Sequence, residues 1–118
     1  MNRILIAEDE ERLAAFIEKG LRKNGFVTTL AFDGQEALQM SDKEEFELLL
    51  LDLGLPIKDG WTVLKELRKQ GEQFPIIVVT AMADECNKTT ALKLGANDYL
   101  TKPFKFSDLL EKVKSHLP

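Results

Sequence analysis

Asp52 ends the run Phe46-Glu47-Leu48-Leu49-Leu50-Leu51, and an ionised carboxylate after so apolar a segment is costly unless something charged meets it. Other polar residues also stand just past apolar runs: Glu8 and Asp9 after Ile4-Leu5-Ile6-Ala7, Thr80 after Ile76-Ile77-Val78-Val79, and Lys102 shortly after Tyr99-Leu100. Two like charges about 4 Å apart repel by roughly 4 kcal/mol at an effective dielectric near 20, so Glu8, Asp9 and Asp52 brought together would need a cation. Hard oxygen donors suit Mg²⁺, which takes one or two carboxylates, accepts a backbone carbonyl and keeps several waters. Mn²⁺ is the expected substitute. A lone Cys86 and a lone His116 offer no zinc set. An oxyanion arriving at Asp52 would meet the metal ion on one side and Lys102 on another. Thr80 and backbone N–H groups would complete its shell. Such a clamp suits phosphoryl transfer, with Asp52 as the nucleophile that becomes an aspartyl phosphate.

That chemistry requires elements that deliver all five residues to one place. Apolar strands are expected at residues 3–7, 26–31, 48–51, 76–80 and 98–101. The four consecutive leucines read as a strand buried on both faces, as in a parallel sheet covered by helices. Between the strands lie helical patterns. The first opens on Glu8-Asp9-Glu10-Glu11, acids that suit the positive end of a helix dipole, and repeats Leu13, Phe16, Ile17, Gly20 and Leu21 until Gly25 stops it. Asp33-Gly34 and Asp59-Gly60 start the second and third helices, and Gly71 closes the third. Asp84 is the expected N-cap of a fourth that Gly95 ends, and Ser107 the expected cap of a last helix carrying Leu109, Leu110, Val113 and Leu117.

Strand and helix alternate five times, which predicts an α/β, three-layer (βα)5 sandwich around a five-stranded parallel sheet. In such folds ligands bind at the carboxyl ends of the strands, where strand order reverses. The flavodoxin-like order 2-1-3-4-5 makes the first and third strands neighbours, so that Glu8, Asp9 and Asp52 converge. A flavin binder of this fold would need a phosphate-cradling loop where Glu8-Asp9 stands, and acid there repels phosphate unless a metal intervenes.

At 118 residues, with 44% hydrophobic and 31% charged residues, the chain reads as one globular domain. Its net charge of −4 argues against direct binding to nucleic acid or an anionic membrane. No apolar run approaches the roughly 20 residues of a membrane span or forms a signal peptide, and one cysteine allows no internal disulfide. A cytoplasmic location is expected.

The sequence resembles the receiver domain of bacterial two-component response regulators over essentially its whole length. The resemblance rests on Glu8-Asp9, Leu51-Asp52-Leu53 with Leu55-Pro56 and Gly60, Thr80-Ala81, Gly95-Ala96-Asn97-Asp98-Tyr99 and Lys102-Pro103-Phe104. Singly, each motif has a plainer explanation: a solvated helix start, a capping Asp, a surface lysine, a packed tyrosine. Their order and spacing together are what make the pattern specific.

The resemblance implies that Asp52 accepts a phosphoryl group from a sensor histidine kinase. It implies Mg²⁺ held by Asp9, Asp52 and the backbone carbonyl of Gly54, with Glu8 acting through water. Thr80 and Lys102, with the backbone amides of Leu53 and Ala81, would contact the phosphate. Tyr99 would be the aromatic that responds when Thr80 moves, and the Lys102-Pro103 bond would be cis. Residues 1–118 would be the phosphoacceptor domain, with any C-terminal effector lying outside this chain. In the OmpR/PhoB-like class that effector binds DNA, and phosphorylation drives dimerisation through charges expected here at Lys88, Asp98, Asp108 and Lys112. Such a domain is a signalling switch that catalyses only its own phosphorylation and dephosphorylation.

Overall fold

A computed structural model describes residues 2–118. Five strands alternate with five helices: β1 Arg3–Ala7, α1 Glu11–Lys23, β2 Val27–Ala31, α2 Gly34–Lys43, β3 Leu48–Leu51, α3 Gly60–Lys69, β4 Ile76–Thr80, α4 Glu85–Lys93, β5 Asp98–Thr101 and α5 Phe106–Ser115. All strand pairs are parallel, and the sheet order is β2-β1-β3-β4-β5. The expected fold class and strand order are therefore observed.

Alternation along each strand divides the core in two. Leu5, Leu49, Leu51, Ile76, Val78 and Tyr99 face α2, α3 and α4 through Ala37, Val63, Leu64, Leu67 and Ala91. Ile4, Ile6, Leu48, Leu50, Ile77 and Val79 face α1 and α5 through Ile17, Leu21, Leu109 and Val113. The leucine run thus feeds both layers, which is why it lacks polar alternation. Trp61 is partly buried and packs against the first of these clusters.

Asp33, Asp59 and Asp84 cap α2, α3 and α4, accepting from the backbone amides of Glu36, Thr62 and Asn87 at 2.7, 2.9 and 2.8 Å. Gly25 and Gly95, with φ of 88° and 112°, follow α1 and α4 where the sequence predicts their ends.

Three expectations need correction. The N-cap of α5 is Lys105, with no side-chain cap, so Ser107 lies inside the helix. The cause is Phe106, whose ring packs so tightly on α1 that a Cβ at Gly20 would fall 2.4 Å from it. Phe16 is 53% exposed rather than core, and meets Phe106 edge to face with ring centroids 5.9 Å apart. α1 begins at Glu11, so Glu8 and Asp9 sit in the preceding loop. None of the described helices is long and apolar enough to cross a membrane.

Candidate functional site

The sheet ladder continues one residue past the strands, and this extra rung builds the site. The Asp52 amide donates to the Ala7 carbonyl at 3.0 Å, the Glu8 amide to Ala31 at 3.0 Å, and the Lys102 amide to Thr80 at 2.8 Å. Glu8 and Asp52 therefore leave adjacent strands side by side, and Lys102 leaves β5 beside Thr80. One carboxylate oxygen from each of Glu8, Asp9 and Asp52 lies within 4.8 Å of the others. Glu8 is 2% and Asp52 7% exposed, while Asp9 is exposed.

Lys102 reaches this acidic nest from the end of the edge strand β5. Its Nζ is 2.7 Å from Glu8 Oε1, 3.2 Å from Asp52 Oδ2 and 3.5 Å from Glu10 Oε2. Burial alone would lower the lysine pKa, but the hydrogen bond to Glu8 and the charge of Asp52 outweigh it and hold the ammonium above its usual value. The Glu8 pKa is raised as well, which for a carboxylate disfavours the charged form. Burial pushes its pKa up, and the Lys102 bond and the Glu10 amide pull against burial without reversing it. The ion pair is thus lopsided, with a firmly charged ammonium and a carboxylate still costly to ionise. Three clustered carboxylates face one lysine, an oxygen-only donor set short of positive charge. That is the chemistry a hard divalent ion fits.

The rest of the site surrounds Asp52. The Gly54 amide donates to Asp52 Oδ1 at 3.2 Å, which folds the loop after β3 back over the carboxylate. Gly60 packs from the far side, so closely that a Cβ there would lie 2.2 Å from the Asp52 carbonyl oxygen. Between them Ile57, a β-branched residue, holds a φ of 69°, a conformation such side chains seldom adopt. Asp52, Thr80, Ala81, Lys102 and Glu10 border one cleft of about 740 Å³, whose outer wall is Leu13, Phe16, Met82 and Phe104. Thr80 is buried, and its hydroxyl accepts from the Met82 amide at 3.4 Å. The Lys102-Pro103 peptide is cis.

Tyr99 is buried, with its hydroxyl donating to the Met82 carbonyl at 2.5 Å, so the aromatic is tied to the loop that leaves Thr80. Leu53 is a core residue whose carbonyl accepts from the Gly60 amide at 2.9 Å. The four charges expected on an interaction face divide. Lys88 and Asp108 are exposed, whereas Lys112 Nζ and Asp98 Oδ1 pair within the chain at 3.0 Å. Asp98 also meets His116 Nε2 at 3.1 Å, a role for that histidine that sequence spacing did not suggest. Asn97 is taken up by structure, its Oδ1 accepting from Arg68 Nη2 and the Ile76 amide, each at 2.9 Å. Cys86 is free and exposed. Sequence reasoning also passed over Glu10, which looked like one more acid at a helix start.

A five-stranded parallel sheet carrying an acidic nest, a hydroxyl and a half-buried lysine at its carboxyl edge is the arrangement of a doubly wound α/β domain with a charged site at the strand ends. Residues 4–114 match the model of the response regulator receiver domain, and the chain belongs to that family. It is 38% identical over 117 residues to the transcriptional regulatory protein PcoR of Escherichia coli, covering 99% of this chain and 52% of that protein. It is 42% identical over 115 residues to the transcriptional activator protein IrlR of Burkholderia pseudomallei, covering 98% of this chain and 50% of that protein. The chain thus spans about half the length of these curated relatives.

Among solved structures, the receiver domain of the Francisella response regulator 1452 superposes with a TM-score of 0.94 at 38% identity, covering 98% of this chain and 95% of that one. The receiver domain of the sensor histidine kinase PA1611 of Pseudomonas aeruginosa, with a magnesium ion coordinated in its active-site cleft, gives a TM-score of 0.88 at 34% identity, covering 98% and 96%. The cluster of Glu8, Asp9 and Asp52 resembles such a Mg²⁺ site.

Proposed function

We propose that this receiver domain takes a phosphoryl group from a sensor histidine kinase onto Asp52, in a Mg²⁺-dependent reaction. The observation that carries the reading is the Asp52 carboxylate itself. It is nearly buried, 3.2 Å from Lys102 Nζ and grouped with two further carboxylates within 4.8 Å. An Asp52 oxygen attacks phosphorus, the P–N bond of the donor phosphohistidine breaks, and its electron pair returns to the imidazole nitrogen. Mg²⁺, or Mn²⁺ in its place, would neutralise charge developing on the transferring group when held by Asp9, Asp52 and the Gly54 carbonyl, with Glu8 acting through water. Lys102 exchanges its Glu8 contact for a phosphoryl oxygen, and Thr80 offers its hydroxyl, helped by the amides of Leu53 and Ala81.

Phosphorylation adds about −1.5 to −2 charge. Drawing Thr80 inward would move the Met82 carbonyl and with it the Tyr99 hydroxyl, carrying the change to α4, β5 and α5. On this reading the chain is a cytoplasmic switch that catalyses only its own phosphorylation and dephosphorylation. Residues 1–118 form the receiver, joined in the full-length protein to a C-terminal DNA-binding domain. Lys88, Asp98, Asp108 and Lys112 form the face through which the phosphorylated form pairs with a second copy and controls transcription. The chain itself binds neither DNA nor membrane.

Incubation with Mg²⁺ and acetyl phosphate should add one acid-labile phosphoryl group, read by mass spectrometry. Asp52→Asn should abolish the addition, and full labelling of that variant would remove Asp52 from its role.

A further inference from the structure

Glu10 is an acid that neither the core nor the ligand cluster of Glu8, Asp9 and Asp52 accounts for. Its side chain is 65% exposed, yet it is not simply solvated. Its Oε2 stands 3.5 Å from Lys102 Nζ, the ammonium that also reaches Asp52 at 3.2 Å. Its backbone amide donates to Glu8 Oε2 at 3.0 Å, which fixes where the residue leaves the loop. It borders the same cleft as Asp52, Thr80 and Ala81, so an approaching phosphoryl donor passes beside it. It also draws on the lysine that the proposed transfer needs.

We infer that Glu10 is a specificity-determining residue at the cleft mouth, one that attracts the divalent cation but holds off anionic phosphoryl donors. The inference rests on the phosphoacceptor reading above. The charges around the cleft set the sign of each effect. With Glu8, Asp9, Glu10 and Asp52 against Lys102 alone, the cleft is strongly negative and favours a cation. Once a divalent ion has neutralised the nest, Glu10 is the carboxylate outside that nest, and its field then opposes a phosphate dianion. Removing the charge should therefore weaken cation binding and strengthen anion binding. A side chain that merely held the loop together would move both in the same direction.

The test uses Glu10→Gln and Glu10→Asp in the intact chain, with Trp61 fluorescence as the binding signal. Mg²⁺ alone, and then beryllofluoride at saturating Mg²⁺, are titrated. Glu10→Gln should raise the Mg²⁺ dissociation constant and lower that of beryllofluoride, each by roughly two- to fivefold, as befits a partly exposed charge. Glu10→Asp should stay near the wild type. Both differences should shrink between 0.05 and 1 M salt, where the screening length falls to about 3 Å. Labelling by dianionic acetyl phosphate should gain more from Glu10→Gln than labelling by the less negative phosphoramidate. Changes of the same sign for cation and anion, or no change in either, would overturn the inference. Wild-type protein that bound no beryllofluoride would instead overturn the phosphoacceptor reading on which it rests.

Discussion

Lys102 Nζ stands 2.7 Å from Glu8 Oε1, a shorter contact than the lysine makes to any other acid. The contact sits at the end of the parallel sheet, where it offsets a buried carboxylate. Lys102→Ala removes the cation that Glu8 and Asp52 share, leaving two buried like charges side by side. Its stability in EDTA should fall by about 2 kcal/mol. Added Mg²⁺ should stabilise the variant more than the wild type, because the ion then supplies the missing charge. Urea unfolding with and without Mg²⁺ measures both effects. Equal Mg²⁺ stabilisation of the two proteins would show that the lysine and the ion do not serve the same carboxylates.

Gly60 sets the position of the Asp52 main chain from behind. A Cβ there would meet the Asp52 carbonyl oxygen at 2.2 Å and Leu53 Cα at 2.6 Å, both backbone atoms that cannot swing aside. Gly60→Ala should cost about 2–4 kcal/mol and weaken Mg²⁺ binding, because relief requires shifting Asp52. Gly54→Ala is the control. Its Cβ would approach only Asp52 Oδ1, at 3.9 Å, and its stability should stay within about 0.5 kcal/mol of the wild type. Thermal unfolding and a Mg²⁺ titration of both variants separate the two cases.

Most of this architecture was legible because local and tertiary preferences agree. The leucines of β3 serve both faces of the sheet, and Asp33, Asp59 and Asp84 cap helices that start where their spacing says. The acidic residues and Lys102 were legible because each ends an apolar strand. What escaped depends on neighbours distant in sequence. Ser107 looks like a cap, but Phe106 docks on Gly20 and draws the helix start forward. Phe16 has core spacing, yet its partner is an edge-on Phe106 at the surface. Glu10 is indistinguishable from Glu11 until Lys102 arrives from the other end of the chain. No turn residue announces the positive φ of Ile57.

Asp98 joins β5 to the end of α5. Burial would raise its pKa, but the hydrogen bonds from Lys112, the Tyr99 amide and His116 outweigh it and leave the carboxyl below its ordinary value. A depressed folded-state pKa stabilises the fold wherever the unfolded carboxyl is ionised, and that stabilisation is lost as pH falls through the folded value. Asp98→Asn should therefore cost about 1 kcal/mol above pH ~5, a modest figure because the pair is partly solvated. The gap from wild type should close on acidification below the ordinary Asp pKa of about 3.9. Urea titrations across that range test it, and a gap that did not change with pH would exclude the ion pair as its source.

At the opposite end of the sheet Arg68 closes three loose ends of backbone and side chain. Its Nε donates to the Gly95 carbonyl at 3.0 Å, Nη1 to the Glu72 carbonyl at 2.8 Å, and Nη2 to Asn97 Oδ1 at 2.9 Å. Asn97 in turn accepts from the Ile76 amide at the start of β4, so one guanidinium links the end of α3 to the entries of β4 and β5. Burial lowers the Arg68 pKa, with the charge of Glu72 acting against it, so the guanidinium relies on these acceptors in place of water. Arg68→Met keeps the apolar stem and removes every donor, leaving the acceptors to water or to nothing. The expected loss is about 2 kcal/mol. Arg68→Lys should recover little, because an ammonium cannot span the planar fork. Since the strands separate this cluster from the carboxylate nest, Mg²⁺ affinity should stay within about twofold of the wild type in both variants. A large loss of Mg²⁺ binding without a loss of stability would show that the two ends of the sheet are coupled, and would place Arg68 in the switch rather than in the scaffold.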